Sequence, residues 1–214
     1  MTTNGAPPLV ATIRSFPTTL GLTGIVLLVG ILTARHTAAR HEAMLGRFGL
    51  DLDLLRLHHL WTLPIATFVQ SSPGVRWHML LLVAASLALL EYRAGSLRAL
   101  ITFLVAHWIS SPLTVVVLSG LARGGSERAL HTLHRPDAGS SAAAHGALAT
   151  ALALLPTPWS VIGVSGLLTY SATAIAFQRI DAAVAHLVAS VIGAACGWVL
   201  WRPQLSVSAA SKGQ

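Results

Sequence analysis

Two adjacent serines and a distant histidine are the residues of this chain whose types and positions favour catalysis. Ser140 and Ser141 follow Gly139 and open an alanine-rich apolar run that ends at Leu155. A serine in the first turn of a buried helix lies at the positive end of the helix dipole, beside backbone N–H groups that stabilise an oxyanion. A hydroxyl becomes a good nucleophile only when a base takes its proton. His186, in a later apolar segment, is the candidate base.

The same residues also have structural interpretations. A serine at this position often caps the helix or forms an interhelical hydrogen bond, and either Ser140 or Ser141 fits the cap. A histidine within an apolar segment is costly to bury, which favours a functional role for His186. The pair is catalytic only if the fold brings the two segments together.

The composition is that of a membrane protein. Of the 214 residues, 54% are hydrophobic and only 10% are charged, far fewer charges than a soluble domain carries. The net charge of +7 comes from arginines that fall singly between apolar segments. This distribution favours the anionic headgroups of a lipid bilayer as the partner and gives no indication of nucleic-acid binding.

Cysteine and histidine usage predicts no disulfide, metal or cofactor. The single cysteine, Cys196, lies in an apolar segment and is interpreted as packing. His131, His134 and Asp137 have the ligand types of a zinc site, but a polar loop with this spacing is more often solvated surface. We therefore expect no metal.

Six apolar segments approach the length that spans a bilayer. We predict spans at 15–34, 77–91, 99–122, 138–155, 159–177 and 182–201, with Pro112 interrupting the third and a polar loop at 124–136. Between the first two spans, leucines at 50, 54, 57 and 60 keep helical spacing among charges, which predicts an interfacial amphipathic loop. The expected domains are a flexible leader at 1–14, a membrane domain at 15–202 and a disordered tail at 203–214.

Small residues in the fourth and sixth spans favour close helix packing. If these two helices pack together, Ser141 and His186 meet, although such patterns occur in membrane helices of every function. The small residues are Gly139, Ala142, Ala143 and Gly146 in the fourth span and Ala189, Gly193 and Gly197 in the sixth.

Several fragments, in this order and on these spans, resemble the rhomboid intramembrane serine proteases, and in particular the divergent rhomboid-like membrane proteins of bacteria. The resemblance covers about residues 61–201. Its fragments are the segment 60–68 (LWTLPIATF), His78 at the start of the second span, Glu91 and Gly95 at its end, the box Gly139-Ser140-Ser141-Ala142, and His186 followed by Ala189 and Gly193.

The resemblance implies an all-α, six-span, rhomboid-like bundle in the bacterial cell membrane that cleaves transmembrane helices of other proteins. It implies Ser141 as nucleophile, His186 as base, and an oxyanion site formed by the Ser141 backbone and His78. Gly139, His145, Ala189 and Gly193 would support the site, and His145 stands where the family usually has an aromatic residue. A one-residue register shift would exchange Ser140 and Ser141.

Two departures from the family motif leave an alternative open. Leu82 stands where the family has an asparagine that helps to bind the oxyanion, and Ala142 replaces the second glycine of the serine box. Both favour a pseudoprotease that binds transmembrane helices without cutting them. A transporter or channel is disfavoured, because the spans carry few charged or polar residues.

Membrane orientation is predicted in opposite ways by two arguments. The family topology places the N-terminus in the cytoplasm, which leaves nine arginines outside. The positive-inside rule prefers the reverse. We adopt the family topology.

Overall fold

A computed structural model of the chain describes residues 16–53, 60–202 and 204. The predicted leader at 1–14, residues 54–59 of the amphipathic loop and all of the predicted tail except Gln204 lie outside these residues. The α-helices are α1 (Pro17–Thr33), α2 (Ala38–Phe48), α3 (Leu63–Ala66), α4 (Trp77–Ala94), α5 (Ser96–Arg123), α6 (Glu127–Thr132), α7 (Ser141–Ala153), α8 (Trp159–Phe177) and α9 (Ile180–Ala195). A 3-10 turn (Leu60–Thr62) precedes α3, and a π-helix (Cys196–Trp201) continues α9.

The described residues are helical and contain no strand, so the all-α prediction is confirmed for them. Four helices are long and apolar enough to cross a membrane: α4, α5, α8 and α9 with its π-helical extension. Helix α1 is apolar but has 17 residues, and α7 has 13. Four helices, rather than the expected six, therefore meet the length and hydropathy of a span.

Two local expectations are wrong. Helix α5 continues through Pro112 without interruption. The proline removes the amide donor to the Trp108 carbonyl. In the flanking turns Ser110 Oγ donates to His107 O and Thr114 Oγ1 donates to Ser110 O, and neither bond replaces the lost one. The predicted loop at 124–136 contains the short helix α6, which begins where the Ser126 side chain accepts a hydrogen bond from the Ala129 N–H.

Helix α7 lies at the centre of the bundle. Ten of its 13 residues are buried, and it contacts α4, α5, α8 and α9. Its length corresponds to about 20 Å, well short of a hydrocarbon core of about 30 Å. Alanine and glycine side chains let four helices approach it closely. The first turn of α7 can therefore begin below the surface of the bundle.

Helix α2 and the segment around α3 cover the start of α7. The apolar side chains of Met44, Leu45 and Phe48 on α2 pack against Ala66, Val69 and Ala138. The opposite side of α2 is charged and exposed. This amphipathic helix holds the 66–70 segment over the serines. The interfacial element was expected from the leucines at 50, 54, 57 and 60, which follow α2, and residues 54–59 of that stretch lie outside the described residues.

Candidate functional site

The loop that leads into α7 is fixed by backbone hydrogen bonds on both sides. Leu50 and Asp137 exchange two of them, at 2.9 and 3.0 Å, and Gly139 N donates to Ala66 O at 2.9 Å. Gly139 has a φ of +137°, a conformation that residues with a Cβ rarely adopt. The glycine therefore makes the turn that delivers Ser140 and Ser141 to the helix start.

The two serines have different environments. Ser140 is fully buried at the N-cap position, and its Oγ lies 3.5 Å from the Gln70 amide nitrogen. Ser141 is half-buried and lines a cavity. Within the described residues, the Ser141 hydroxyl has no hydrogen-bond partner. Of the two, Ser141 is the hydroxyl that faces open space.

His186 lies on α9 and lines the same cavity as Ser141. Its Nε2 atom is buried without a hydrogen-bond partner in the described structure. No hydrogen bond joins the imidazole to the Ser141 hydroxyl here. Such contacts are often long in an unliganded active site and shorten when substrate binds.

His145 contacts both candidate catalytic residues. Its ring stacks on His186 with centroids 3.9 Å apart and an interplanar angle of 8°. Its Nδ1 atom lies 2.9 Å from the Ser141 carbonyl oxygen. Since a carbonyl only accepts, this Nδ1 carries the proton and donates it. One side chain thus links the first turn of α7 to the imidazole on α9.

Close packing of α7 and α9 sets their relative position. A Cβ added to Gly193 would collide with the Gly146 carbonyl, and one added to Gly197 would lie 2.9 Å from Thr150 O. Thr150 Oγ1 lies 2.7 Å from Gly193 O and 2.9 Å from Gly146 O. The helices run in the same direction, so both begin at the cavity.

The expected supporting residues lie at or near this contact. Ala142 and Ala189 are buried in one small cluster with Ala185. Gly139 and His145 line the cavity. The structure therefore places Ser141, His186, Gly139 and His145 around one cavity. Ala189 and Gly193, which the resemblance also implies as supporting residues, lie in the contact between α7 and α9.

The cavity has a volume of about 530 Å³. It lies between the start of α4, the residues after α3, the serine loop and the start of α9. His78 lines it from the first turn of α4 and is exposed. Leu82 lines it one turn further along α4 and offers no hydrogen-bond donor. Its remaining lining residues are Gln70, Ser71, Arg76, Met79, Asp137, Ala138, Tyr170, Gln178, Arg179 and Ala182.

A carboxylate pair and one arginine lie at the loop end of the cavity. Arg179 forms an ion pair with the buried Asp181, and this contact raises the pKa of the guanidinium. Burial, together with the nearby Asp181 carboxylate, raises the pKa of Asp137 to about 6, although Arg179 opposes this shift. The carboxyl group of Asp137, two residues before Gly139, therefore changes its protonation state near pH 6.

His134 and Asp137, two of the three residues with the ligand types of a zinc site, do not lie together. His134 Nδ1 lies 3.0 Å from Asp53 Oδ2 at an exposed position, whereas Asp137 lines the serine cavity. Among the described residues, no three His, Cys, Asp or Glu side chains are grouped as metal ligands.

Sequence reasoning did not identify Gln70 as part of this site. It follows α3 in a segment without helical or strand periodicity, so spacing gave no indication that its side chain would reach Ser140. Arg179 and Asp181 were interpreted only as the residues of a turn. Their proximity to Asp137 depends on the way that α9 packs.

Comparison of the chain with models of known protein families, with curated proteins and with solved structures gave no match. The functional interpretation therefore depends on the residues and geometry described above.

Proposed function

We propose that this protein is a rhomboid-like intramembrane serine protease that cleaves peptide bonds in or near the transmembrane helices of other membrane proteins. The main supporting observation is that Ser141 and His186 line one cavity and that His145 contacts both. The proposal places the chain in the bacterial cell membrane as a six-span bundle, in which α1 and α7 join the four longer helices.

The proposed chemistry is acyl transfer by a Ser-His dyad. His186 takes the proton of the Ser141 hydroxyl as Oγ attacks the substrate carbonyl, and it then protonates the leaving amine. Water hydrolyses the resulting ester by the reverse proton transfers. The hydroxyl and imidazole must approach each other for this transfer, because no hydrogen bond joins them in the described structure.

Two donors are proposed for the oxyanion. The Ser141 backbone N–H lies at the start of α7, where backbone N–H groups have no intrahelical partner. The His78 side chain lines the cavity from α4. The cavity is also lined by loop residues, which supports access of water to the serine.

A pseudoprotease that holds transmembrane helices without cutting them is the second candidate. Leu82 lines the cavity where the resemblance implies an oxyanion-binding asparagine. Removing one such donor typically lowers the rate by about 10² to 10³-fold. Ser141 and His186 also lack a mutual hydrogen bond. These observations favour a site with reduced or absent turnover.

N-terminal peptide mapping of membranes distinguishes the two functions. Membranes from cells that produce the wild-type protein, Ser141→Ala or His186→Ala would be compared for new N-termini inside transmembrane segments. A protease generates such termini only in the wild type. Identical maps, together with equal photo-crosslinking of transmembrane helices to all three proteins, would contradict proteolysis and support the pseudoprotease.

A further inference from the structure

Gln70 is a buried amide side chain on the wall of the serine cavity. Its residue is 4% exposed, and its Nε2 atom lies 3.5 Å from Ser140 Oγ. Ser141, the next residue, lines the same cavity. The amide therefore contacts the side chain of the residue before Ser141 and shares a cavity with Ser141.

The backbone around Gln70 is held on two sides. His41, buried on α2, has its Nε2 atom 2.9 Å from Gln70 O and donates to that carbonyl. On the other side, Gly139 N donates to Ala66 O at 2.9 Å, which joins the serine loop to the same segment. Gln70 is thus positioned by the bundle rather than by a free loop, as a catalytic donor requires.

One N–H donor of the Gln70 amide is unpaired among the described residues. A glutamine NH₂ group carries two protons, and Ser140 Oγ can accept one of them. The second proton has no hydrogen-bond partner among the described residues. An oxyanion formed on a carbonyl attacked by Ser141 would receive one hydrogen bond from the Ser141 backbone, while Leu82 provides none.

We infer that the Gln70 side-chain amide donates a hydrogen bond to the oxyanion and so replaces the donor that is missing at Leu82. The inference depends on the proposed function, because it requires Ser141 to be the nucleophile. It assigns Gln70 as a catalytic residue and Ser140 as the acceptor that orients its amide.

The test is the rate at which a fluorophosphonate inactivates Ser141 in the full-length protein in detergent. The phosphonyl oxygen of the reagent occupies the oxyanion position. Gln70→Glu keeps the shape and removes both N–H donors, and Gln70→Leu removes all polarity. Gln204→Glu adds the same charge at an exposed site near Arg98 and is the matched control. We expect both Gln70 variants to react about 10²-fold more slowly, with the control equal to wild type.

Three results separate the possibilities. Absence of Ser141 labelling in the wild type would overturn the proposed function and this inference with it. Wild-type labelling with equal rates in the Gln70 variants would overturn the inference alone. A fall in rate that parallels a fall in melting temperature, with an unchanged ³¹P chemical shift of the adduct, would show a structural role and would also overturn it.

Discussion

His145 and His186 stack face to face, with ring centroids 3.9 Å apart and planes inclined by 8°. The same His145 donates from Nδ1 to the Ser141 carbonyl. A flat stack restricts rotation of the His186 ring, and the hydrogen bond fixes the ring that it stacks on. His145 therefore holds the candidate base in a fixed orientation relative to the serine turn.

We predict that His145→Ala lowers the rate of fluorophosphonate labelling about tenfold, because aromatic stacking of this kind contributes about 0.5 to 1.5 kcal/mol. His145→Phe keeps a ring for His186 and should retain most of the rate. His131→Ala, at an exposed position, is the control. Equal labelling of the Ala and Phe variants would show that the stack does not orient His186.

The contact between α7 and α9 should tolerate no methyl group at Gly193. A Cβ there collides with the Gly146 backbone, so Gly193→Ala must separate the helices. We predict a loss of about 2 kcal/mol in unfolding free energy, together with reduced labelling of Ser141. Gly166→Ala on α8 has open space around its Cβ and is the matched control. Wild-type stability of Gly193→Ala would mean that the helices are not this close.

Glu91 on α4 caps the start of α1. Its carboxylate accepts hydrogen bonds from Thr18 N at 3.0 Å, and from Thr19 N and Thr19 Oγ1 at 2.7 Å each. We predict that Glu91→Ala destabilises the protein by about 3 kcal/mol, because it leaves buried donors unpaired and removes a negative charge from a helix N-terminus. Thermal unfolding in detergent measures the change, with the exposed Tyr92→Phe as control. An unchanged melting temperature for Glu91→Ala would contradict the capping role.

Asp137 should make stability depend on pH. Its folded pKa of about 6 lies above the usual value near 4, so the folded state binds its proton more tightly than the unfolded state does. Ionisation therefore costs stability as pH rises from about 4 through about 6, and the cost persists above that range. We predict that Asp137→Asn matches wild type near pH 4 and is more stable above pH 6, by up to about 3 kcal/mol.

Unfolding of both proteins across pH 4 to 8 measures this difference. Glu42→Gln, at an exposed carboxylate, is expected to differ from wild type by less than about 0.5 kcal/mol at every pH. A difference between Asp137→Asn and wild type that does not change between pH 4 and pH 7 would show that the Asp137 carboxyl is not perturbed by its burial.

The long apolar helices were predictable because an uninterrupted run of apolar residues indicates both that a helix is present and how long it is. Helix α8 has the bounds expected for the fifth span, and α5 begins three residues before the third and ends one residue after it. Helix α7 is shorter than expected, because the positive φ of Gly139 turns the chain before Ser141 and the helix ends before Pro156. Its central position results from packing against four neighbouring helices. The sequence of α7 alone does not predict these contacts.

The candidate site was predictable to the extent that its residues lie on regular helices. Small residues at four-residue spacing indicated that Ser141 and His186 would approach each other, and both line one cavity. The stack of His145 on His186 depends on the rotation of two helices about their axes. The position of Gln70 depends on a segment between helices. The apolar residues of this segment follow neither helical nor strand spacing, so the sequence does not predict where its side chains point.

The most direct measurement is the location, by mass spectrometry of proteolytic peptides, of the adduct that a fluorophosphonate leaves on the purified protein. We predict a single adduct on Ser141 in the wild type and in Ser140→Ala, and none in His186→Ala. An adduct on Ser140, or undiminished labelling of Ser141 in His186→Ala, would contradict a dyad formed by Ser141 and His186.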